Sequence, residues 1–254
     1  MNSIFLEVAG LIFVYMTVWY SLSVALKRND IADIAWGLGF IFIAAFLLMK
    51  NPDSAYLKMS TVLVTIWGSR LAWHIFARAI KKPEDYRYAA WRKEWGKNFY
   101  LRSYLQVFLL QGFFMFLIST SIISIYYSTA TTLTATSLIG IIVWFIGFVF
   151  ESVGDRQLQE FVRNPTNKGK IITTGLWRYT RHPNYFGEVT QWWGLYLFCL
   201  NSANQYIIIS PLTITILILF VSGVPMLERK YQGRPDWEEY KNKTSVFIPW
   251  FPKK

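Results

Sequence analysis

Arg178, Arg181 and His182 fall within five residues, immediately before Pro183 and an apolar run. Proline is tolerated at the first position of a helix, so this basic cluster is predicted to sit at the N-terminal end of a membrane helix. Unpaired backbone N–H groups and the helix dipole favour an anion there, and two guanidiniums add full charges. The chemistry expected is capture of a phosphate or a similar anionic group. From Asn184, Glu188 and Gln191 follow at i+4 and i+7, on the same helix face. Basic flanks of membrane helices also occur as ordinary anchors. The carboxylate one turn further in sets this one apart, because an acid inside a bilayer is costly and usually functional.

Other ionisable residues repeat the pattern inside apolar runs. Asp33 opens the second run, Arg70, His74 and Arg78 recur at i, i+4 and i+8 on one face of the third, and Glu151 and Asp155 close the fifth. At 1.5 Å per residue, Glu188, Glu151 and His74 come out about 6 Å inside their helix ends. Charges in a bilayer face a bundle interior or a watery cavity and pair with one another. Four helices are therefore expected to line one polar cavity. The plainer alternative is a set of interhelical ion pairs, for example Arg70 with Glu188, that only fixes packing.

Those residues need membrane helices to hold them, and the composition supplies them. The chain of 254 residues is 54% hydrophobic, 19% aromatic and only 16% charged, where soluble chains run nearer 25% charged. Apolar runs at about 4–26, 31–49, 57–79, 104–127, 136–154, 184–200 and 206–225 predict an all-α integral membrane protein, a seven-helix bundle in a single domain. The first run lacks the basic leader of a signal peptide and is too long for one. Polar, basic loops at 81–103, expected to hold short interfacial helices, and at 155–183, and a tail at 226–254, lie between or after the runs. With an external N-terminus, the internal segments hold 23 Lys and Arg and the external loops 2, which places the C-terminus in the cytosol. The net charge of +11 is thus topological and no sign of nucleic acid. Two histidines and the single cysteine, Cys199, are too few for a metal site or an internal disulfide. No GxGxxG follows a strand, so a Rossmann domain is excluded.

Residues 175–188, GLWRYTRHPNYFGE, resemble the signature of the steroid 5-alpha-reductase-like membrane oxidoreductases, especially their bacterial members of unsettled substrate. The shorter R-H-P-x-Y-x-G is also similar to a motif of the isoprenylcysteine and phospholipid methyltransferases. The resemblance is strong over 145–254, faint before that, and specific for a superfamily rather than one reaction. It implies that Asn184, Glu188 and the upstream Asp155 contact a reduced nicotinamide dinucleotide. It also matches Arg70 and Arg78 to the family's helix arginines, and Tyr240 with the ending FIPWF to a C-terminal tail folded over the cofactor. The cofactor-binding set is then Arg70, Arg78, Glu151, Asp155, Arg178, Tyr179, Arg181, His182, Asn184, Tyr185, Glu188 and Tyr240. Where the family's proton-donating tyrosine falls, this chain has Trp67, and indole cannot act as that acid.

Together these readings predict an enzyme that transfers hydride from NADPH to an electron-poor C=C bond of a lipid-soluble steroid-, isoprenoid- or enoyl-like substrate. An acid must then stabilise the enolate: Asp33, kept protonated by burial, or His74, with Tyr86 and Tyr88 as further donors. Glu188 would orient the nicotinamide, giving Asp33, His74 and Glu188 as the catalytic set. The rivals are a membrane methyltransferase using S-adenosylmethionine, which needs acidic partners for a sulfonium and fewer phosphate contacts, and a non-catalytic membrane protein or transporter. The expected partners are the substrate and membrane lipids, in a bacterial inner membrane or endoplasmic reticulum.

Overall fold

The apolar runs fold as helices whose ends fall close to those expected. A computed structural model describes residues 2–80, 82–128, 132–200 and 205–253; Lys81 and Lys254, both counted among the internal charges, lie outside them. Helix α1 (Asn2–Leu26) turns through Lys27, which takes a left-handed φ of 56°, into α2 (Ile31–Lys50). Ser54 caps α3 (Ala55–Ala79) by accepting from Leu57 N–H, and Asp85 caps α4 (Tyr86–Trp95) by accepting from Arg87 N–H. Helix α5 (Phe99–Arg102) passes through a π-helical stretch, Ser103–Leu109, into α6 (Leu110–Ile125). Thr134 caps α7 (Ala135–Arg163), and Pro183 opens α8 (Pro183–Cys199). Helix α9 (Ile209–Ile216) continues through a second π stretch, Leu217–Val221, to α10 (Val224–Arg229), followed by α11 (Pro235–Lys243).

Five helical stretches are long and apolar enough to cross a bilayer: Ser3–Leu26, Ile31–Lys50, Tyr86–Ile125, Ala135–Arg163 and Tyr206–Arg229. The protein is a multi-pass integral membrane protein. The two remaining expected spans differ. Helix α3 has the length, 25 residues, but carries Lys58, Arg70, His74 and Arg78 among Ser and Thr. Helix α8 has 17 residues, roughly 25 Å, short of a ~30 Å hydrocarbon core. Two helices also outrun their expected ends. The short helices expected within 81–103 run on into the stretch expected to begin at 104, which is helical from Tyr86, and α7 runs two turns into the expected loop, to Arg163.

The chain divides into two compact units, Met1–Thr132 and Leu133–Lys254. In the first, α2 packs on α3 where Gly37 meets Gly68; a Cβ on Gly68 would lie 2.6 Å from Gly37 O. Charged residues knit one end of this unit. Arg28 grips Asp30 through two bonds of 3.0 and 2.6 Å and donates to Ala79 O, tying the α1–α2 turn to the end of α3. Glu84 accepts from Asn29 N–H and from Arg92, joining the same turn to α4.

In the second unit, α7 and α8 run antiparallel with backbones in contact. Gly140, Gly147 and Gly154 recur every seven residues on α7, as do Gly187 and Gly194 on α8. A Cβ on Gly147 would lie 2.6 Å from Gly187 O, and one on Gly194 2.7 Å from Gly140 O. Without a hydrophobic drive between helices in lipid, small residues and close van der Waals contact hold such a pair together. That closeness decides which polar side chains can touch across the seam.

Candidate functional site

Gly154, Gly147 and Gly187 let α7 approach α8 closely enough for short side chains to bridge the gap. One bridge is Asn184 Nδ2 donating to Asp155 Oδ1 at 3.0 Å. One turn back along α7 and two turns on along α8, Gln191 Nε2 donates to Glu151 Oε2 at 2.5 Å. Glu151 and Gln191 are almost fully buried. The carbonyl side of Gln191, Oε1, is buried and makes no hydrogen bond among the described residues. Four of the residues singled out by sequence thus meet in one seam. Glu188 lies one turn beyond Asn184 on α8 and is half-buried.

The segment before α8 is held by its backbone. Gly175 takes a left-handed φ of 63°, and Leu176 N–H donates to Gln157 Oε1. Trp177 Nε1 donates to Gly154 O, anchoring the turn Gly175–Arg178 on α7. Tyr240 Oη donates to Trp177 O from the other side. Burial holds the Tyr240 phenol well above its ordinary pKa, so it stays a donor. Arg178 and Tyr179 point to the exterior and are exposed.

Arg181 and His182 behave differently from the expectation of an open anion cradle. Arg181 Nε donates to Glu228 Oε1 at 2.9 Å, and Nη1 donates to Lys241 O at 2.8 Å and Thr244 O at 3.2 Å. His182 Nε2 lies 3.0 Å from the same Glu228 oxygen. Both residues are buried, at 7% and 3% exposure. The anion held at this helix N-terminus is therefore one of the chain's own carboxylates. His182 also stacks on Tyr185, with ring centres 5.6 Å apart and 15° between planes, and its Nδ1 has no hydrogen bond among the described residues.

The C-terminal tail closes over this segment as a bent loop, with Lys253 N–H donating back to Lys243 O at 2.9 Å. Arg181 N–H donates to Ser245 O and Trp250 N–H to Tyr179 O, both at 2.9 Å, and Thr180 Oγ1 donates to Phe247 O at 2.7 Å. Phe247 meets Phe186 edge-on at 5.7 Å.

In the first unit, Asp33 accepts from Tyr88 Oη at 2.7 Å and from Arg87 Nη2 at 2.8 Å. Both oxygens of the acid expected at Asp33 are thus engaged, one with Tyr88 and the other with Arg87. Arg70 and His74 are half-buried on α3 and Arg78 is exposed at its end. Trp67 is a core residue, 2% exposed and edge-on to Phe40. A cavity of about 50 Å³ bounded by Asp30, Asp33, Arg78, Lys82 and Asp85 has room for water but not for a cofactor.

Sequence reasoning missed Glu228, Asp30, Glu84 and Arg87. A carboxylate closing the last apolar run was the available signal for Glu228.

The profile of the family described as "Protein of unknown function (DUF1295)" matches residues 19–244. An uncharacterized protein of Schizosaccharomyces pombe is 25% identical over 275 residues, covering 95% of this chain and 79% of that protein. A probable O-methyltransferase of Ustilaginoidea virens is 46% identical over 46 residues, 18% of this chain and 16% of that protein. The protein-S-isoprenylcysteine O-methyltransferase of Saccharomyces cerevisiae is 31% identical over 87 residues, 32% of this chain and 33% of that enzyme. The chain thus spans a sixth and a third of the two methyltransferases, and none of these three relatives is named as a reductase. No solved structure matches.

Proposed function

The chain belongs to the DUF1295 family, and we propose that it is a membrane-embedded methyltransferase acting from S-adenosylmethionine on a lipid-soluble acceptor. The observation that carries this reading is the Arg181–Glu228–His182 cluster. A dinucleotide with three phosphate groups needs several free cationic donors, and here the two best placed are already neutralised by Glu228 and backbone carbonyls. What the α7–α8 seam offers instead is acceptors: Glu151, Asp155 and the unbonded Oε1 of Gln191. Acceptors suit the positively charged sulfonium and amino groups of S-adenosylmethionine, which supplies an electrophilic methyl when bound. Glu151 and Asp155 would hold those charges, Asn184 and Gln191 would fix the carboxylates' orientation, and the surrounding apolar helices would keep water away. The partial likeness to two O-methyltransferases supports the same reading.

The NADPH-dependent reductase stands as the second reading, supported by the 3.0 Å bond between Asp155 and Asn184, the pair that the reductase resemblance assigns to the dinucleotide. Titrating detergent-solubilised protein with S-adenosylmethionine, S-adenosylhomocysteine and NADPH separates the two. Saturable binding of the first two, weakened by Glu151→Gln, is expected. Saturable NADPH binding with no response to either sulfur nucleotide would replace the methyltransferase with the reductase.

The seven-crossing arrangement with an external N-terminus remains our reading of the topology. It rests on the distribution of Lys and Arg, because a layout of only the five most apolar helices would leave basic loops on both sides.

A further inference from the structure

The tail 244–251 is a bent loop fastened to residues 179–181, and its ends meet where Lys253 N–H donates to Lys243 O at 2.9 Å. Thr244 is buried and Phe247 packs inward on Phe186. The outward positions are Val246, Ile248 and Trp250, followed by Phe251, with exposures of 41%, 66%, 70% and 75%. A contiguous patch of exposed apolar side chains marks a surface that a partner or a membrane covers. Here every outward residue is apolar, and exposed Tyr179 adds to the same patch through its edge contact with Phe251.

The height of this patch in the second unit identifies what covers it. Arg181, whose N–H pairs with Ser245, binds Glu228, the penultimate residue of the candidate span Tyr206–Arg229. The tail therefore lies level with the end of a membrane span. Trp and other amphipathic aromatics concentrate at that depth, and cations flank them. Arg178 and Lys253, both exposed, border the patch.

We propose that the tail is a membrane-interface anchor: Ile248, Trp250 and Phe251 insert at the headgroup–acyl boundary of the bilayer. Because the same loop bonds to Tyr179, Thr180 and Arg181, lipid contact then holds the segment that opens α8. This inference does not depend on which cofactor the site takes.

The test is a single environment-sensitive fluorophore on Ile248→Cys, with Phe251→Cys as a second position and Lys168→Cys as an exposed polar comparison, in nanodiscs of phosphatidylcholine and phosphatidylglycerol. Native Cys199 is buried and stays unlabelled. Labels at 248 and 251 should emit at shorter wavelength than at 168, and shallow nitroxide lipids should quench them several-fold more strongly. Quenching at 248 and 251 by aqueous iodide to the extent seen at 168 would overturn the proposal. So would a disulfide-linked dimer through Ile248→Cys in place of lipid quenching, since a second copy would then be the cover.

Discussion

Arg181 and Glu228 pair at 2.9 Å, both largely shielded from solvent, and the same carboxylate oxygen also meets His182 at 3.0 Å. One acid thereby joins the start of α8 to the end of α10, while the Arg181 guanidinium reaches on to the carbonyls of Lys241 and Thr244. The basic cluster that looked like a ligand site is, at these two positions, a clasp for the tail.

Arg181→Ala should accordingly unfasten the tail. Removing one partner of a buried pair costs about 3–5 kcal/mol in soluble interiors. A clear fall in melting temperature is expected, together with faster proteolysis after residue 243. Unchanged stability with a selective loss of nucleotide affinity would restore Arg181 as a ligand.

The α7–α8 seam predicts a contrast between two glycines. A Cβ on Gly187 would lie 2.5 Å from Gly147 O, backbone against backbone, so Gly187→Ala must push the helices apart. Overpacking of this kind costs typically 1–3 kcal/mol. A Cβ on Gly10 of α1 meets nothing within 4 Å, and Gly10→Ala should be neutral or stabilising by about 0.5–1 kcal/mol through helix propensity. Thermal unfolding of both variants in one detergent provides the comparison, and equal effects would contradict the close packing.

The cap of α4 gives a pH dependence. Burial pushes the Asp85 carboxyl up, but hydrogen bonds from Arg87 and the charges of Arg87 and Arg78 outweigh it and hold the group below its ordinary range. A depressed carboxylate contributes stability above its unfolded pKa, about 4, and that contribution is lost as pH falls through the folded value. The start of α4 should therefore loosen below about pH 4. Hydrogen exchange at the Arg87 amide, corrected for its intrinsic rate, should accelerate there. Asp85→Asn keeps an acceptor for that amide but cannot titrate, and should abolish the acceleration.

Topology is decided at Thr132. Seven crossings with an external N-terminus place a reporter inserted there outside, after four spans. If neither α3 nor α8 crosses, the same reporter follows three spans and lies inside. A reporter fused after Lys254 should be cytosolic in either case, so it controls for the overall orientation.

The sequence by itself determined the helices and the polar residues inside them. Apolar runs and Pro183 as a first helical residue are local signals, and the described helices begin and end near them. The spacing of Asn184, Glu188 and Gln191 on one face was equally legible. Tertiary structure decided which charges meet. Glu228 stands 47 residues after Arg181, and no local periodicity selects it from the other acids. Glu151 finds Gln191 only because glycines seven residues apart on both helices bring the backbones into contact. A charged side chain declares in sequence that it needs a partner; which partner lies within 3 Å depends on the rotation and separation of whole helices, and those are set by packing across the fold.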